Sequence, residues 1–211
     1  MDITREMRAR EEILKAQTNS SVRIYTPADN NKRVSGYLVK TCKIKGTIVD
    51  RLLGEGLLYQ EDRYNNAVFI NKERTCTEVF GTLSNKPFTG PCDGPQRNQF
   101  WYFSSEGIDF WNDENIPVYI TKNAIDAISL YDLMRYYAKA AYVSMGGSSN
   151  QQIIDRLVAL GRYRVIIAVG NDEEGKQCRE RNSNLPVLVP TLSDWSSDLK
   201  EGIKVNKIIW R

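Results

Sequence analysis

The sequence predicts an α/β protein, in which a small helical and β region precedes a mainly parallel four-stranded sheet with flanking helices. Three observations lead there. From residue 117 onward, short apolar runs alternate with longer amphipathic ones, and strand–helix alternation requires crossovers and hence parallel strands. Upstream, short apolar runs are separated by polar and Gly/Pro-rich turns, the pattern of hairpins. The composition, 41% hydrophobic and 26% charged over 211 residues, supplies enough apolar material for a packed core.

Taken in order, residues 2–17 carry Ile3, Met7 and Leu14 at helical spacing on a mostly charged segment. Residues 18–32 are polar, contain Pro27 and read as a linker. RVSGYLVK and TIVDRLLGEG read as two short helices joined by the basic turn Lys43-Ile44-Lys45-Gly46, with Thr47 as a cap and Asp50 three residues on. Strands are expected at 57–60, 67–72 and 77–83, the first two joined by the turn EDRYNN. A Gly/Pro-rich loop then covers 87–98, and FWYFSS (100–105) forms a further strand whose alternation should expose at least one aromatic ring. Helices followed by strands make this first region winged-helix-like. Beyond it come the strand PVYIT (117–121), a helix from Asn123 to 138, the strand AAYVSM (140–145) and a helix over 150–161 closed by Gly161. The strand RVIIAV (164–169), a helix carrying Lys176 to Arg181 and the strand LPVLVP (185–190) complete the series. The organisation expected is an N-terminal helix and linker (1–32), a small α+β domain (33–115) and an α/β domain (116–211).

Composition excludes several chemistries. There is no histidine, so no Ser-His-Asp triad, Cys-His dyad or His-based zinc site can form. The four cysteines, at 42, 76, 92 and 178, contain no CxxC pair. A structural zinc is not expected, and four free thiols suit a reducing compartment. No apolar run nears the roughly 20 residues that cross a bilayer, and the N-terminus lacks a signal-peptide apolar stretch. The reading is a cytoplasmic protein without a membrane partner. Net charge is +3, yet residues 1–50 hold ten Lys/Arg against six Asp/Glu. A basic end of this kind serves nucleic-acid phosphates or simply a solvated surface.

In a parallel sheet, chemistry gathers beyond the carboxyl ends of the strands. Those ends carry Lys122, the 144–147 turn, Asp172 with Glu173 and Glu174, and Asp194. The acidic turn reads either as a cap cluster at the positive end of a helix dipole or as oxygen ligands for Mg²⁺.

The ordered strings VYITKNAIDAISL, YVSMGG, VIIAVGNDEEG and SDWSSDL resemble those of Toprim domains, particularly the Toprim-like modules of primases and relaxase-associated proteins on plasmids and conjugative elements. The upstream YLVKTCKIKGTIVDRLLGEGLLYQ is similar to the small domain that precedes Toprim there. The resemblance implies a Glu after the first strand as general acid/base and an Asp-x-Asp after the third strand to hold Mg²⁺. This chain departs from that pattern. Lys122 stands at the Glu position and Gly170 at the first Asp, leaving Asp172 as a weak metal ligand with Glu174 two residues on. Asp126 and Asp194 match further acidic positions of the family. The degenerate site is therefore Lys122, Asp126, Gly170, Asp172, Glu174 and Asp194, with no catalytic residue and no cofactor expected beyond weak Mg²⁺. Lys122 should repel a divalent ion and attract phosphate.

Three functions follow from this reading. The first is a catalytically degenerate binder of DNA, RNA or a nucleoprotein from a mobile element, using Lys40, Lys43, Lys45 and Lys122. The second is an anti-defence inhibitor of the anti-CRISPR type, whose partner is a CRISPR effector such as Cas9. The third is an active Mg²⁺-dependent nuclease or primase rearranged around Asp126, Asp172, Glu174 and Asp194, against which the missing Glu argues.

Overall fold

The structure, a computed structural model, describes residues 25–83, 89–93, 99–147 and 150–205, together with Thr4. The helix expected over 2–17 lies outside the described residues apart from Thr4, as do residues 18–24 of the expected linker. The chain divides into two compact units, Met1–Trp101 and Tyr102–Arg211.

The first unit begins with α1 (Lys32–Gly36), which runs directly into a π-helical turn over Tyr37–Thr41. Next comes α2 (Gly46–Gly54), with Lys45 as its N-cap and no side-chain cap bond. The cap therefore sits two residues before Thr47, and the Thr47 capping box does not form. The apolar positions of α2 are fully used: Ile48, Val49, Leu52 and Leu53 are all buried. An antiparallel meander follows, β1 (Leu58–Gln60), β2 (Ala67–Ile70), β3 (Thr77–Phe80) and β4 (Thr89–Asp93), hydrogen-bonded in that order. β4 lies inside the stretch expected to be loop. The β1–β2 turn is held by Glu61, whose carboxylate accepts from the Tyr64 and Asn66 amides. Cys76 is disulfide-bonded, which corrects the expectation of four free thiols; Cys42 and Cys178 are buried and lie outside any disulfide.

The second unit is built on a four-stranded sheet in the order β5 (Trp101–Ser104), β7 (Ala141–Ser144), β6 (Ile116–Thr121), β8 (Tyr163–Ile167). β6 pairs in parallel with both β7 and β8. The crossovers are α3 (Ala124–Met134) and α4 (Gln151–Ala159); α5 (Glu173–Arg181) and α6 (Trp195–Lys200) follow β8. Parallel sheets are covered on both faces, and ten of the eleven α3 residues are accordingly buried.

Two elements differ from expectation. LPVLVP is not a strand. It touches the sheet through one parallel bridge, Ile167 to Val187, because Pro186 and Pro190 cannot donate to a ladder. RVIIAV, expected inside the sheet, is thus the last strand in the hydrogen-bonded order. The fourth strand is instead FWYF, which joins the parallel sheet beside β7. Its four rings are all buried rather than alternately exposed. Trp101 packs edge-on against Phe69, Tyr102 stacks on Phe110, and Phe103 meets Tyr131. Among the described residues, no helix is long and apolar enough to cross a membrane.

Candidate functional site

The loops at the carboxyl ends of β6, β7 and β8 carry the candidate residues. Lys122 directly follows β6. Its backbone carbonyl accepts from the Gly147 amide at 2.8 Å, and the preceding Thr121 carbonyl accepts from Met145 at 3.0 Å. This fixes the start of the Lys122 side chain. The Lys122 ammonium lies 3.1 Å from Asp172 Oδ2 and 2.9 Å from Glu174 Oε2.

Asp172 divides its two oxygens. Oδ1 caps α5 by accepting from the Gly175 amide at 2.8 Å, and Oδ2 accepts from Lys122. Burial pushes the Asp172 carboxyl up, but the Gly175 bond and the Lys122 charge outweigh it, so the carboxyl is held below the ordinary value. Burial likewise works against the Lys122 charge, and the Glu174 and Asp172 contacts reverse that, leaving the ammonium more firmly protonated than usual. The cap reading of the acidic turn is realised. Asp172 is a helix cap with Glu173 and Glu174 in the first turn, where the dipole favours them, and two of the three carboxylates hold a cation that the chain supplies itself. The phosphate-attracting charge expected of Lys122 is already engaged by these two carboxylates.

Gly170 sits against the 191–194 loop. A Cβ there would meet the Ser193 carbonyl oxygen at 2.8 Å. That same carbonyl accepts from the Asn171 amide at 2.8 Å, and the Gly170 carbonyl accepts from Arg179. Where the resemblance implies the first Asp, the backbone therefore leaves no room for a side chain. The donors present do not fit Mg²⁺. An ammonium stands where the acid/base carboxylate is implied, and a carboxylate cannot be added at 170 without moving Ser193. Arg179 and Ser193 hold this loop in place, the first through its guanidinium on the Gly170 carbonyl and the second through its own carbonyl, and neither carried a sequence signal.

Asp126 is 3% exposed. With Asn123 it forms a reciprocal cap at the start of α3. The Asp126 amide donates to Asn123 Oδ1 at 2.9 Å, and Asn123 Nδ2 donates to Asp126 Oδ2 at 3.1 Å. Asp126 Oδ1 accepts from the Ser196 amide at 3.3 Å, which ties α3 to α6. Asp194 caps α6 through Ser197 at 2.7 Å. Burial, then the nearby Asp194 charge, push the Asp126 carboxyl up to about 7. A carboxyl raised in the fold binds more protons than the unfolded chain between pH 4 and 7, so its contribution to stability falls as pH rises through that window. Asp126→Asn removes this titration. The stability of the variant relative to wild type is expected to improve steadily from pH 4 to 7, read from urea midpoints at each pH. A difference independent of pH would refute this assignment.

Lys40, Lys43 and Lys45 lie in the first unit and are all exposed, on and after the π-helical turn. Lys43 adopts a left-handed φ of 63°, while Cys42 and Ile44 on either side are buried. That alternation leaves Lys43 and Lys45 on the exposed side of the turn.

Comparison with known proteins agrees with this architecture. The uncharacterized plasmid-encoded protein pXO2-78 of Bacillus anthracis is 29% identical over 162 residues, covering 71% of this chain. The chain spans 46% of the length of that relative. The primase fragment of the bacteriophage T7 primase-helicase superposes with a TM-score of 0.55 at 16% identity, over 77% of this chain and 68% of that one. The DnaG catalytic core gives 0.56 at 13% identity, over 92% and 76%. The DnaG primase catalytic domain bound to ssDNA gives 0.53 at 12% identity, over 94% and 79%. At these identities the likeness is one of fold. The family described as Toprim-like matches residues 119–202, the stretch that runs from β6 through α6, so the second unit of this chain carries a Toprim-like domain.

Proposed function

We propose that this protein is a catalytically degenerate Toprim-like module of a mobile genetic element that binds single-stranded nucleic acid without cleaving or polymerising it. The observation that carries the reading is Lys122, placed at the implied acid/base position and held between Asp172 and Glu174 at 3.1 and 2.9 Å. Loss of a general acid/base alone costs about 10²–10⁴ in rate. Gly170, closed over by the Ser193 carbonyl, argues in the same direction. A nucleic-acid ligand is supported by the T7 primase domains bound to an RNA/DNA hybrid, and a single-stranded one by the DnaG neighbour bound to ssDNA. The plasmid-encoded relative supports the mobile-element setting.

Binding uses the basic turn of Lys40, Lys43 and Lys45. The test is fluorescence anisotropy with a labelled single-stranded oligonucleotide over a salt series, run beside a Mg²⁺-dependent nicking assay. Each phosphate contact on a single strand contributes roughly −0.7 to the slope of log affinity against log salt. The paired change Lys43→Ala with Lys45→Ala is expected to flatten that slope by roughly 1.4 and to weaken all sequences about equally. Nicking that Asp172→Ala abolishes would overturn the reading in favour of a rearranged active site. Absence of oligonucleotide binding, with retention on an immobilised guide-RNA nuclease, would transfer it to an anti-CRISPR-type inhibitor.

A further inference from the structure

We propose that the Lys122 ammonium takes the structural place of a divalent cation at the strand-end centre, as a tethered cation that neutralises Asp172 and Glu174 and joins the end of β6 to the start of α5. The inference rests on the geometry of the second unit alone and does not depend on the nucleic-acid reading.

The contact is built from both sides. On one side, the Lys122 backbone is held by the Gly147 amide. On the other, Asp172 is oriented by its own capping bond to Gly175, which leaves Oδ2 aimed at the ammonium. The two partners come from segments 50 residues apart, so this is a tertiary link rather than a local helix pair. The charge count also closes. A divalent ion among three carboxylates leaves one net negative charge, and Lys122 between Asp172 and Glu174 leaves the same. The buried Asp126 also feels the Lys122 charge, which works against the upward push of burial on its carboxyl. A cation on a covalent tether is present at high effective concentration and cannot be removed by a chelator. It cannot, however, polarise a phosphoryl oxygen as a hard metal does.

Such a centre has a distinctive property: removing the lysine should create a metal requirement that the wild-type protein lacks. The experiment measures Mn²⁺ binding by the electron paramagnetic resonance signal of free Mn²⁺, together with thermal unfolding in MnCl₂ at constant ionic strength. Wild type and Lys122→Arg are expected to bind Mn²⁺ weakly and to show no Mn²⁺-specific rise in Tm. Lys122→Glu exchanges a repulsive charge for an attractive one a few ångströms from the ion, so it should bind Mn²⁺ at least about tenfold more tightly than wild type. Its Tm should rise on adding Mn²⁺ and fall again with chelator. Lys122→Gln, which frees both carboxylates without adding one, should lie between. If Lys122→Glu does not fold without metal, Lys122→Gln decides by the same comparison with wild type. Equal Mn²⁺ affinity in wild type and the Glu and Gln variants would overturn the proposal, as would Mn²⁺-specific stabilisation of wild type. Oligonucleotide anisotropy on the same samples reads the basic turn separately, so the two proposals fail independently.

Discussion

Truncation of Trp195 to alanine is expected to destabilise the second unit by about 3–5 kcal/mol, the range for a buried Trp or Phe cut back to Ala. Trp195 is fully buried, and its indole N–H donates to the Ala168 carbonyl at 2.6 Å. Ala168 in turn donates to Ile120 at 2.7 Å, so the indole ties α6 to the residue after β8 and, through it, to β6. The substitution opens a cavity and orphans a buried carbonyl, and an unsatisfied buried polar group adds about 1–3 kcal/mol on its own. In a unit of this size the loss corresponds to a fall in Tm of roughly 10–20 °C. Trp195→Phe separates the two effects. It keeps most of the apolar volume and removes only the donor, so it should cost about 1–3 kcal/mol. Urea unfolding followed by far-UV circular dichroism measures both. A loss below about 1 kcal/mol in Trp195→Ala would show that α6 does not anchor the sheet.

Gly175→Ala is expected to be about as damaging for a different reason. A Cβ at this position would clash with the Gly170 carbonyl oxygen and lie 3.1 Å from Asp172 Oδ1. The first contact is with backbone, and that carbonyl is held by Arg179, so it cannot simply rotate away. Overpacking of this kind costs about 1–3 kcal/mol and sometimes more. Here it also displaces the amide that caps Asp172. Gly36 provides the contrast. It has helical φ and ψ of −60° and −41°, and nothing lies within 4 Å of an added Cβ. Gly36→Ala should therefore stabilise the first unit by about 0.4–1 kcal/mol, because alanine has fewer unfolded conformations to lose. Denaturant midpoints for the two variants should move in opposite directions. If Gly175→Ala matches wild type, the α5 start is free to shift and the close approach to Gly170 is not a constraint.

The alternation of strands and helices after residue 117 was legible because each crossover carries its own apolar period. Asn123 and Asp172 were readable after strands and Asp194 after the apolar run LPVLVP, and each caps the helix that follows. Capping is a bond between residues two or three apart, so the residues that make it are neighbours in the sequence. The resemblance to Toprim strings likewise gave the order of the site residues, since those strings are local. The identity of the fourth strand was not legible. FWYF reads as an apolar strand in either unit, and its place beside β7 is set by hydrogen bonds to a segment some forty residues away. LPVLVP has the apolar composition of a strand, but its two prolines remove the donors a ladder needs.

At the site, the sequence determined which residues stand at the strand ends, and the Toprim resemblance implied that Lys122 and Gly170 stand in place of two carboxylates. It could not determine what those replacements do. Lys122 alone reads as a free charge awaiting a phosphate; in the fold it is held by Asp172 and Glu174. Gly170 alone reads as a missing ligand; in the fold the Ser193 carbonyl occupies the space its Cβ would need. Asp126 alone reads as a match to a further acidic position of the family, and only its burial beside Asp194 raises it to about 7. Capping and periodicity act over a few residues and are written in the sequence. Desolvation, ion pairing and steric closure act through space, between segments tens of residues apart, and only the tertiary structure sets them.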